Sequence, residues 1–311
     1  MKVFITGVAG QVGSHVAEML LERGDEVVGI DNFATGRPEH LPKHENFSFI
    51  EDTIADKALI DSVISDLKPD ALVHTAASYK DPDDWYTDTL VNSVGGVNLI
   101  KAAKENSVGR FVYFQTALCY GLKPEQNPIP LGHSKDPSNS SYAISKTVTE
   151  DYLTLSGVDY VTFRLANVVG PRNVSGPLPI FYNRLIQGKG CFVTPARRDF
   201  VFVKDLARNV VKAVDGVGNG AYHFSSGTDI AIKTLYDAVV SNLGLNDPYP
   251  EPAVQPLGED EAPSILLDPS RTFKDFGEIE FTPLSETVAA AIEYYKEFGV
   301  MGEITHLKVE E

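Results

Sequence analysis

The first half of the chain alternates short apolar segments with stretches of helical periodicity. The apolar, β-branched segments lie at 2–6, 26–31, 70–76, 110–116 and 160–169. The helical stretches between them lie at about 12–22, 56–67, 85–106 and 141–156. Strands that are apolar on both faces are typical of a parallel sheet that helices cover on both sides. The alternation therefore predicts an α/β fold, a doubly wound parallel sheet of the Rossmann type.

The second half has a different character. Segments 171–179 and 246–263 are rich in proline, glycine and polar residues, which predicts longer loops. Segment 199–225 has a strand–helix–strand pattern and is expected to return to the first lobe. We predict a cofactor-binding domain over 1–170, joined by 199–225, and a smaller C-terminal α/β substrate-binding lobe formed by 171–198 and 226–311.

The charge balance limits the partners of the chain. There are 43 acidic and 27 Lys or Arg residues, a net charge of −16, which disfavours nucleic acid and anionic membranes as partners.

The two cysteines, Cys119 and Cys191, provide neither a disulfide framework nor a metal cluster. The first strand begins at residue 2, which leaves no room for a signal peptide, and no stretch reaches the roughly 20 apolar residues of a membrane span. We expect a soluble cytoplasmic protein without metal.

Glycines at the end of the first strand indicate a nucleotide site. Gly7, Gly10 and Gly13 (GVAGQVG) stand where the strand passes into a helix, so the backbone could turn tightly and approach a pyrophosphate at the helix N-terminus. A tight strand-to-helix turn alone would also explain them. Asp31 ends the second strand, where an acidic group meets the adenosine ribose. Its charge would repel a 2′-phosphate, so the pattern favours NAD over NADP.

A tyrosine and a lysine form a candidate oxidation site. Tyr142 and Lys146 are four residues apart in SSYAISKTVTEDYL and share one face of a helix. A tyrosine hydroxyl has a pKa of about 10, and a nearby ammonium favours its phenolate. Thr116 stands at the carboxyl end of FVYFQT, where open parallel sheets bind ligands. Its hydroxyl could relay a proton from a sugar to Tyr142.

The motifs, taken together, resemble a known family. GVAGQVG, the strand end at Asp31, HTAA at 74–77, VNSVGGVNL, QTALCYG and YAISK follow the extended short-chain dehydrogenase/reductases in order. The chain is most similar to their nucleotide-sugar 4-epimerases. The similarity continues through FRLANVVGPRN, RRDFVFVKDLA and LLDPSRTFKDFG, nearly to the end of the chain.

The resemblance implies a role for each matching residue. It makes Thr116, Tyr142 and Lys146 the catalytic triad. It assigns to NAD and its surroundings Gly7, Gly10, Gln11, Val12, Gly13, Asp31, Asn32, Asp52, Thr53, Ile54, Ala76, Ala77, Lys80, Asn92, Tyr142 and Lys146. It assigns to the substrate Lys80, Thr116, Ala117, Leu118, Tyr142, Asn167, Arg172, Asn173, Arg198 and Arg271, with Asn167 and Arg198 at the nucleotide diphosphate.

Two departures from the family pattern leave alternatives. Asp52–Thr53 replaces the usual Gly-Asp, so either residue could meet the adenine. The second diphosphate arginine is absent from PLGEDEAP (256–263). Arg172, Lys189 or Arg271 could replace it, or the nucleotide sugar could belong to another class.

The residues beside Thr116 select among the reactions of the family. Related dehydratases carry Asp-Glu there, whereas this chain has Ala117 and Leu118, which transfer no proton. The sequence thus predicts NAD-dependent 4-epimerisation of a UDP-linked hexose, N-acetylhexosamine or uronate, within polysaccharide biosynthesis. Asn173 and Ser175 could present polar groups to carbon 6, or they could merely cap a loop. A 4,6-dehydratase or a net 4-keto reductase is the alternative, and an NAD(H)-sensing protein without catalysis is the remote one. The resemblance also implies a homodimer through the helices at about 85–106 and 141–156.

Overall fold

The computed structural model describes residues 1–138, 140–245, 251–258 and 261–300. Strands and helices alternate through the first half of the chain. The strands are β1 Lys2–Thr6, β2 Glu26–Asp31, β3 Phe47–Glu51, β4 Ala71–His74, β5 Arg110–Thr116, β6 Tyr160–Leu165, β7 Asn167–Val169, β8 Phe192–Val193, β9 Arg197–Arg198, β10 Phe200–Phe202, β11 Gly220–Phe224, β12 Ile230–Ala231, β13 Ala253–Val254 and β14 Ser264–Ile265.

The helices connect successive strands or form the second lobe. They are α1 Gln11–Glu22, α2 Lys57–Leu67, α3 Trp85–Asp88, α4 Gly96–Glu105, α5 Ser141–Ser156, α6 Pro177–Ile186, α7 Val203–Val214, α8 Ile232–Leu243, α9 Ser270–Phe276 and α10 Leu284–Phe298. A π-helical segment, Thr89–Gly95, joins α3 to α4. Short 3₁₀ turns lie at Pro38–His40 and Ala117–Tyr120.

Seven parallel strands form the central sheet in the order β11-β6-β5-β4-β1-β2-β3. The chain runs outward from β1 to β3 and then crosses back to β4, on the other side of β1. This reversal is the switch point at which ligands bind in such sheets. The order confirms the predicted doubly wound fold.

Helices cover both faces of this sheet. Val3 and Ile5 of β1 pack in the cluster that includes Val16 of α1 and Val210 of α7. Phe4 points to the other face, because successive strand side chains alternate, and packs in the cluster that includes Leu99 of α4. The sheet is therefore buried on both sides, as the continuous apolar strands predict.

A separate apolar cluster forms the second lobe. It joins α6, α8 and α10 through side chains such as Phe181, Tyr236 and Ile292, which are at most 4% exposed. Short strand pairs, β8 with β13 and β9 with β12 and β14, complete the lobe. Strand β11 and helix α7, both within segment 199–225, pack instead with the central sheet and α1.

Three elements differ from the sequence prediction. Strand β3 was not predicted. It pairs with β2 at the sheet edge and carries Ser48 and Glu51, so it lacks a continuous apolar run. The helix predicted at 85–106 contains the π-helical segment, and the strand predicted at 160–169 ends at Leu165, with β7 forming a separate pair with β10.

None of the helices in the described ranges is long and apolar enough to cross a membrane. Among the same residues, no group of three or more His, Cys, Asp or Glu side chains could hold a metal ion.

Candidate active site

At Gly7 and Gly13, the chain between β1 and α1 is packed too closely for a side chain. Gly7 has a positive φ of 70°, and a Cβ there would lie 2.6 Å from the Ala76 nitrogen. A Cβ on Gly13 would lie 2.4 Å from the Gly7 oxygen and 2.7 Å from the Thr75 hydroxyl. The glycines therefore let α1 begin directly against β1 and against the chain that follows β4. The first N–H groups of a helix have no partner within it and are available to an anion.

Asp31 extends from the end of β2 toward this turn. Its carboxylate accepts hydrogen bonds from the backbone N–H groups of Ala9 (2.9 Å) and Phe33 (2.8 Å). Burial raises the pKa of this carboxyl, although the two N–H donors oppose the shift. The carboxylate is thus fixed beside the glycine turn, at the position predicted for the ribose contact.

A cavity of about 790 Å³ opens along the carboxyl edge of the sheet. Most of the predicted cofactor residues line it: Gly7, Gly10, Gln11, Val12, Asp31, Asn32, Asp52, Thr53, Ile54, Ala76, Ala77, Lys80, Tyr142 and Lys146. Its size, the glycine turn and the fixed carboxylate fit a dinucleotide. Gly13 does not line the cavity; it allows α1 to pack against Gly7 and Thr75.

Asn92 is 1% exposed and does not line the cavity. Its side-chain oxygen accepts from the Ser78 N–H (2.8 Å), and its amide donates to the Ser78 carbonyl (2.9 Å) and the Ser145 hydroxyl (3.0 Å). Ser145 in turn donates to the Tyr142 carbonyl. The structure therefore places Asn92 as a brace between the loop after β4 and α5, not as a residue lining the cavity.

Thr116, Tyr142 and Lys146 line the same cavity as the glycine turn. Thr116 ends β5, and its hydroxyl accepts from the Leu118 N–H (3.1 Å), which fixes the following 3₁₀ turn. Tyr142 and Lys146 project from the first turns of α5, whose N-cap is Ser140. The structure thus brings together three residues that are up to 30 positions apart in the sequence.

In the protein alone, burial disfavours the charged forms of both Tyr142 and Lys146. Burial raises the pKa of the Tyr142 phenol, with smaller contributions from Tyr79 and Asp88. Lys146 is 3% exposed, and burial lowers its pKa to about 7. Its ammonium lies 4.3 Å from the centre of the Tyr113 ring. Activation of the phenol therefore needs a further positive charge, such as an oxidised nicotinamide ring, besides Lys146.

Several residues that line the cavity were not predicted from the sequence. They are Thr35, Thr75, Ser78, Tyr79, Asp81, Asp84 and Thr87, and they follow the ends of strands β2 and β4 by one to thirteen residues. Loop positions of this kind carry no periodic pattern. Only the rule that ligands bind beyond the carboxyl ends of strands could have identified them.

The predicted substrate residues fall into separate groups. Lys80 and Asn173 line the cavity, as does Ser175. Ala117 and Leu118 pack beside the small apolar cluster that includes Cys119 and Ala262.

Arg198 and Asn167 lie between the two lobes. Arg198 donates to the carbonyls of Arg197 and Ala262 (both 2.8 Å), and Asn167 donates to the Asp199 carbonyl (3.2 Å). The Glu261 carboxylate lies 3.9 Å from the Arg198 guanidinium. The neighbouring acids at 259 and 260 lie outside the described residues.

Two predicted arginines point away from the cavity. Arg271 donates to the carbonyls of Asn219 and Ala221, at the amino end of β11 and thus at the opposite edge of the sheet. Arg172 pairs with Glu18 of α1. Neither side chain lines the cavity, and each is bound to another part of the protein. The structure therefore corrects their expected placement at the substrate.

Comparison with known proteins identifies relatives of the whole chain. The sequence profile of the NAD dependent epimerase/dehydratase family matches residues 3–224. UDP-glucose 4-epimerase of Mycolicibacterium smegmatis is 30% identical over 95% of this chain and 99% of its own.

Two solved structures from Bordetella bronchiseptica are also similar. The enzyme WbmH, in complex with NAD+, is 72% identical with a TM-score of 0.94, over 96% of this chain and 99% of its own. The enzyme WbmG, in complex with NAD and UDP, is 40% identical with a TM-score of 0.90, over 99% of both chains.

Proposed function

This chain belongs to the NAD-dependent epimerase/dehydratase family, and we propose that it inverts carbon 4 of a UDP-linked sugar with NAD as cofactor. The observation that carries the proposal is the shared cavity, in which Thr116, Tyr142 and Lys146 face the same space as the glycine turn. The similarity to a UDP-glucose 4-epimerase, and to a structure that contains NAD and UDP, supports it.

The residues of this chain divide the work of the oxidation. Bound NAD supplies the acceptor, and later the donor, of the hydride at carbon 4. The Tyr142 phenolate takes the proton of the 4-hydroxyl, and the Thr116 hydroxyl relays it. The Lys146 ammonium stabilises the phenolate, since an opposite charge nearby favours the ionised form. The sugar becomes a 4-keto sugar, and Tyr142 returns the proton when the hydride comes back to its other face.

The surroundings of Thr116 support epimerisation over elimination. Elimination of water needs an acid and a base near carbons 5 and 6. Ala117 and Leu118 occupy the two positions after Thr116 and provide neither. A 4-keto sugar held here would keep its substituents, so the return of the hydride to the opposite face is the favoured outcome.

Different parts of the chain supply the proposed contacts to the nucleotide and to the sugar. Arg198 is partly buried between the lobes and is the proposed diphosphate contact, with Asn167 beside it. Lys80, Asn173 and Ser175 are the proposed sugar contacts, and they suit a hexose, an N-acetylhexosamine or a uronate. The domain boundaries follow the same division, with 1–170 and 199–225 for the cofactor and 171–198 and 226–311 for the nucleotide sugar.

A second copy of this chain is the proposed partner. The helices at 85–105 and α5 carry apolar side chains that a monomer would leave in water: Trp85 (68% exposed), Tyr86 (78%), Val94 (43%), Ile144 (46%), Tyr152 (50%) and Leu155 (78%). Ile144, Tyr152 and Leu155 recur at helical spacing along one face of α5. Sedimentation should give a dimer, and Leu155→Glu should shift it toward monomer. A wild-type monomer at micromolar concentration would contradict the proposal.

We also propose a cytoplasmic location and a role in polysaccharide biosynthesis. Cys119 and Cys191 are buried free thiols, which suits a reducing compartment. Polysaccharide assembly consumes nucleotide sugars of the proposed class.

The decisive test offers UDP-glucose, UDP-N-acetylglucosamine and UDP-glucuronate to the enzyme with catalytic NAD and follows carbon 4 by NMR. Inversion without net change of cofactor would support the proposal. NADH consumed in proportion to product would indicate a reductase, and a 4-keto-6-deoxy product would indicate a dehydratase.

Tyr142→Phe should lose at least a hundredfold in kcat, the usual range for a general base. Unchanged turnover would remove Tyr142 from the mechanism.

A further inference from the structure

A tight turn after β7 places an arginine where glycine is usual. The Asn173 N–H donates to the Gly170 carbonyl (3.3 Å), which closes the four-residue turn Gly170-Pro171-Arg172-Asn173. Arg172, the third residue of this turn, has a positive φ of 66°. Proline in the second position and a positive φ in the third are features of a type II turn, whose third residue is usually glycine or asparagine. An arginine persists in this conformation only where its surroundings hold it.

The side chain of Arg172 holds the turn against α1. Its guanidinium donates to the Glu18 carboxylate of that helix. Burial raises the pKa of the Glu18 carboxyl, but hydrogen bonds with His15 and Arg172 outweigh the burial and lower this pKa to about 2. The pair is therefore charged at physiological pH, and it ties the turn to the helix that begins at the glycine turn.

A second bond, from α10, holds the residue that follows Arg172. Tyr295 is buried, and its hydroxyl donates to the Asn173 carbonyl (3.0 Å). The Asn173 side chain donates to the Ser175 carbonyl (3.0 Å). Asn173 and Ser175 line the cavity, whereas Arg172, Glu18 and Tyr295 do not. The bonds from α1 and α10 thus hold this loop from outside the cavity.

We propose that Arg172, Glu18 and Tyr295 are positioning residues that hold Asn173 and Ser175 against the sugar of the nucleotide sugar. Hydrogen bonds to sugar hydroxyls depend on distance and direction, and a loop fixed in advance loses less entropy when the sugar binds. Arg172 thereby acts through the loop and not as a direct contact to the diphosphate. The inference rests on the proposed function for the identity of the ligand.

The test separates affinity for the sugar from affinity for the nucleotide. NAD-loaded wild type, Glu18→Gln and Tyr295→Phe are titrated by calorimetry with UDP and with UDP-glucose, UDP-N-acetylglucosamine and UDP-glucuronate. Glu18→Gln frees the Arg172 guanidinium, and Tyr295→Phe removes one hydroxyl. Each variant should weaken binding of the UDP-sugar that the wild type prefers roughly three- to tenfold, the effect of one hydrogen bond. The Kd values of UDP and of NAD should stay close to those of the wild type, whereas a general loss of structure would raise all of them.

Three further variants show whether the effect passes through the loop. On an Asn173→Ala background, Glu18→Gln should add no further loss, because the side chain that it positions is gone. The charge swap Glu18→Arg with Arg172→Glu should bind the UDP-sugar more tightly than either single change, because it restores the ion pair. Glu22→Gln is the matched control, since it makes the same substitution at an exposed position of α1, and it should bind like the wild type.

Unchanged or tighter binding of the UDP-sugar by Glu18→Gln would overturn the inference and would indicate that Arg172, once freed, contacts the diphosphate. An equal loss of affinity for UDP, or a further loss on the Asn173→Ala background, would also overturn it. If the wild type binds a UDP-sugar more tightly than UDP but inverts none of the three, only the proposed function fails. If it binds them no more tightly than UDP, the loop makes no sugar contact and this inference fails.

Discussion

Replacing Lys146 by methionine should stabilise the folded protein while it abolishes the proposed chemistry. Lys146 is 3% exposed, and burial lowers its pKa from 10.5 to about 7. The lowered pKa means that the fold disfavours the charged form, which the unfolded chain accommodates freely. Methionine fills a similar volume without a charge, so it removes this penalty.

The size of the effect follows from the two pKa values. Folded Lys146 loses its proton near pH 7 and unfolded Lys146 near pH 10.5. Between these values the unfolded chain binds one more proton, so the wild-type free energy of unfolding rises by about 1.4 kcal/mol per pH unit. From pH 7, where the folded lysine is half deprotonated, to pH 9 the rise is about 2.3 kcal/mol. The advantage of Lys146→Met should therefore be greatest at pH 7 and below, and smaller by about this amount at pH 9.

Urea denaturation of the NAD-free wild type and Lys146→Met at both pH values measures the difference. Lys123→Met, which changes an exposed lysine, should alter the free energy of unfolding by less than about 0.5 kcal/mol. If Lys146→Met were less stable than the wild type at pH 7, or if its advantage did not change with pH, the burial argument would be refuted.

Three further substitutions test other parts of the site. Gly13→Ala places a Cβ 2.4 Å from the Gly7 oxygen and should lower the free energy of unfolding by roughly 1–3 kcal/mol. The control Gly132→Ala, whose Cβ would have no atom within 4 Å, should leave the free energy of unfolding nearly unchanged. Equal denaturation curves for the two variants would contradict the packing argument. Asp31→Asn should reduce the preference for NAD over NADP, measured as the ratio of their Kd values, because the repulsion of a 2′-phosphate is lost; an unchanged ratio would exclude that role. Glu150→Gln deprives buried Arg164 of its carboxylate partner (3.0 and 3.1 Å) and should lower the free energy of unfolding, measured by urea denaturation, by roughly 3–5 kcal/mol. An equal loss in the exposed control Asp151→Asn would contradict this expectation.

The sequence predicts the parts of this fold that depend on neighbouring residues. Strand β1, the glycine turn and helix α1 follow from local spacing, and the end of β2 places Asp31 beside them. Thr116 was predicted at the site because it ends a strand at the carboxyl edge of the sheet. Tyr142 and Lys146 were predicted from their spacing on one helix face, and the family resemblance joined the three residues.

Long-range pairing explains what the sequence could not predict. Arg172 is bound by Glu18, 154 residues earlier, and Arg271 by carbonyls some 50 residues earlier. Such partners are chosen by the packing of the lobes and leave no local pattern. For the same reason Asn92 was predicted as a cofactor contact, although its amide is engaged by Ser78 and Ser145.

The π-helical segment Thr89–Gly95 makes this stretch tolerant of a change in length. Its wide turns accommodate one residue more than regular α-helical turns would hold. Deleting one residue there would let the helix close into regular turns of 3.6 residues, with little rotation of α3 relative to α4. Homologous chains can therefore differ by one residue along this stretch while the helices on either side keep their relative orientation.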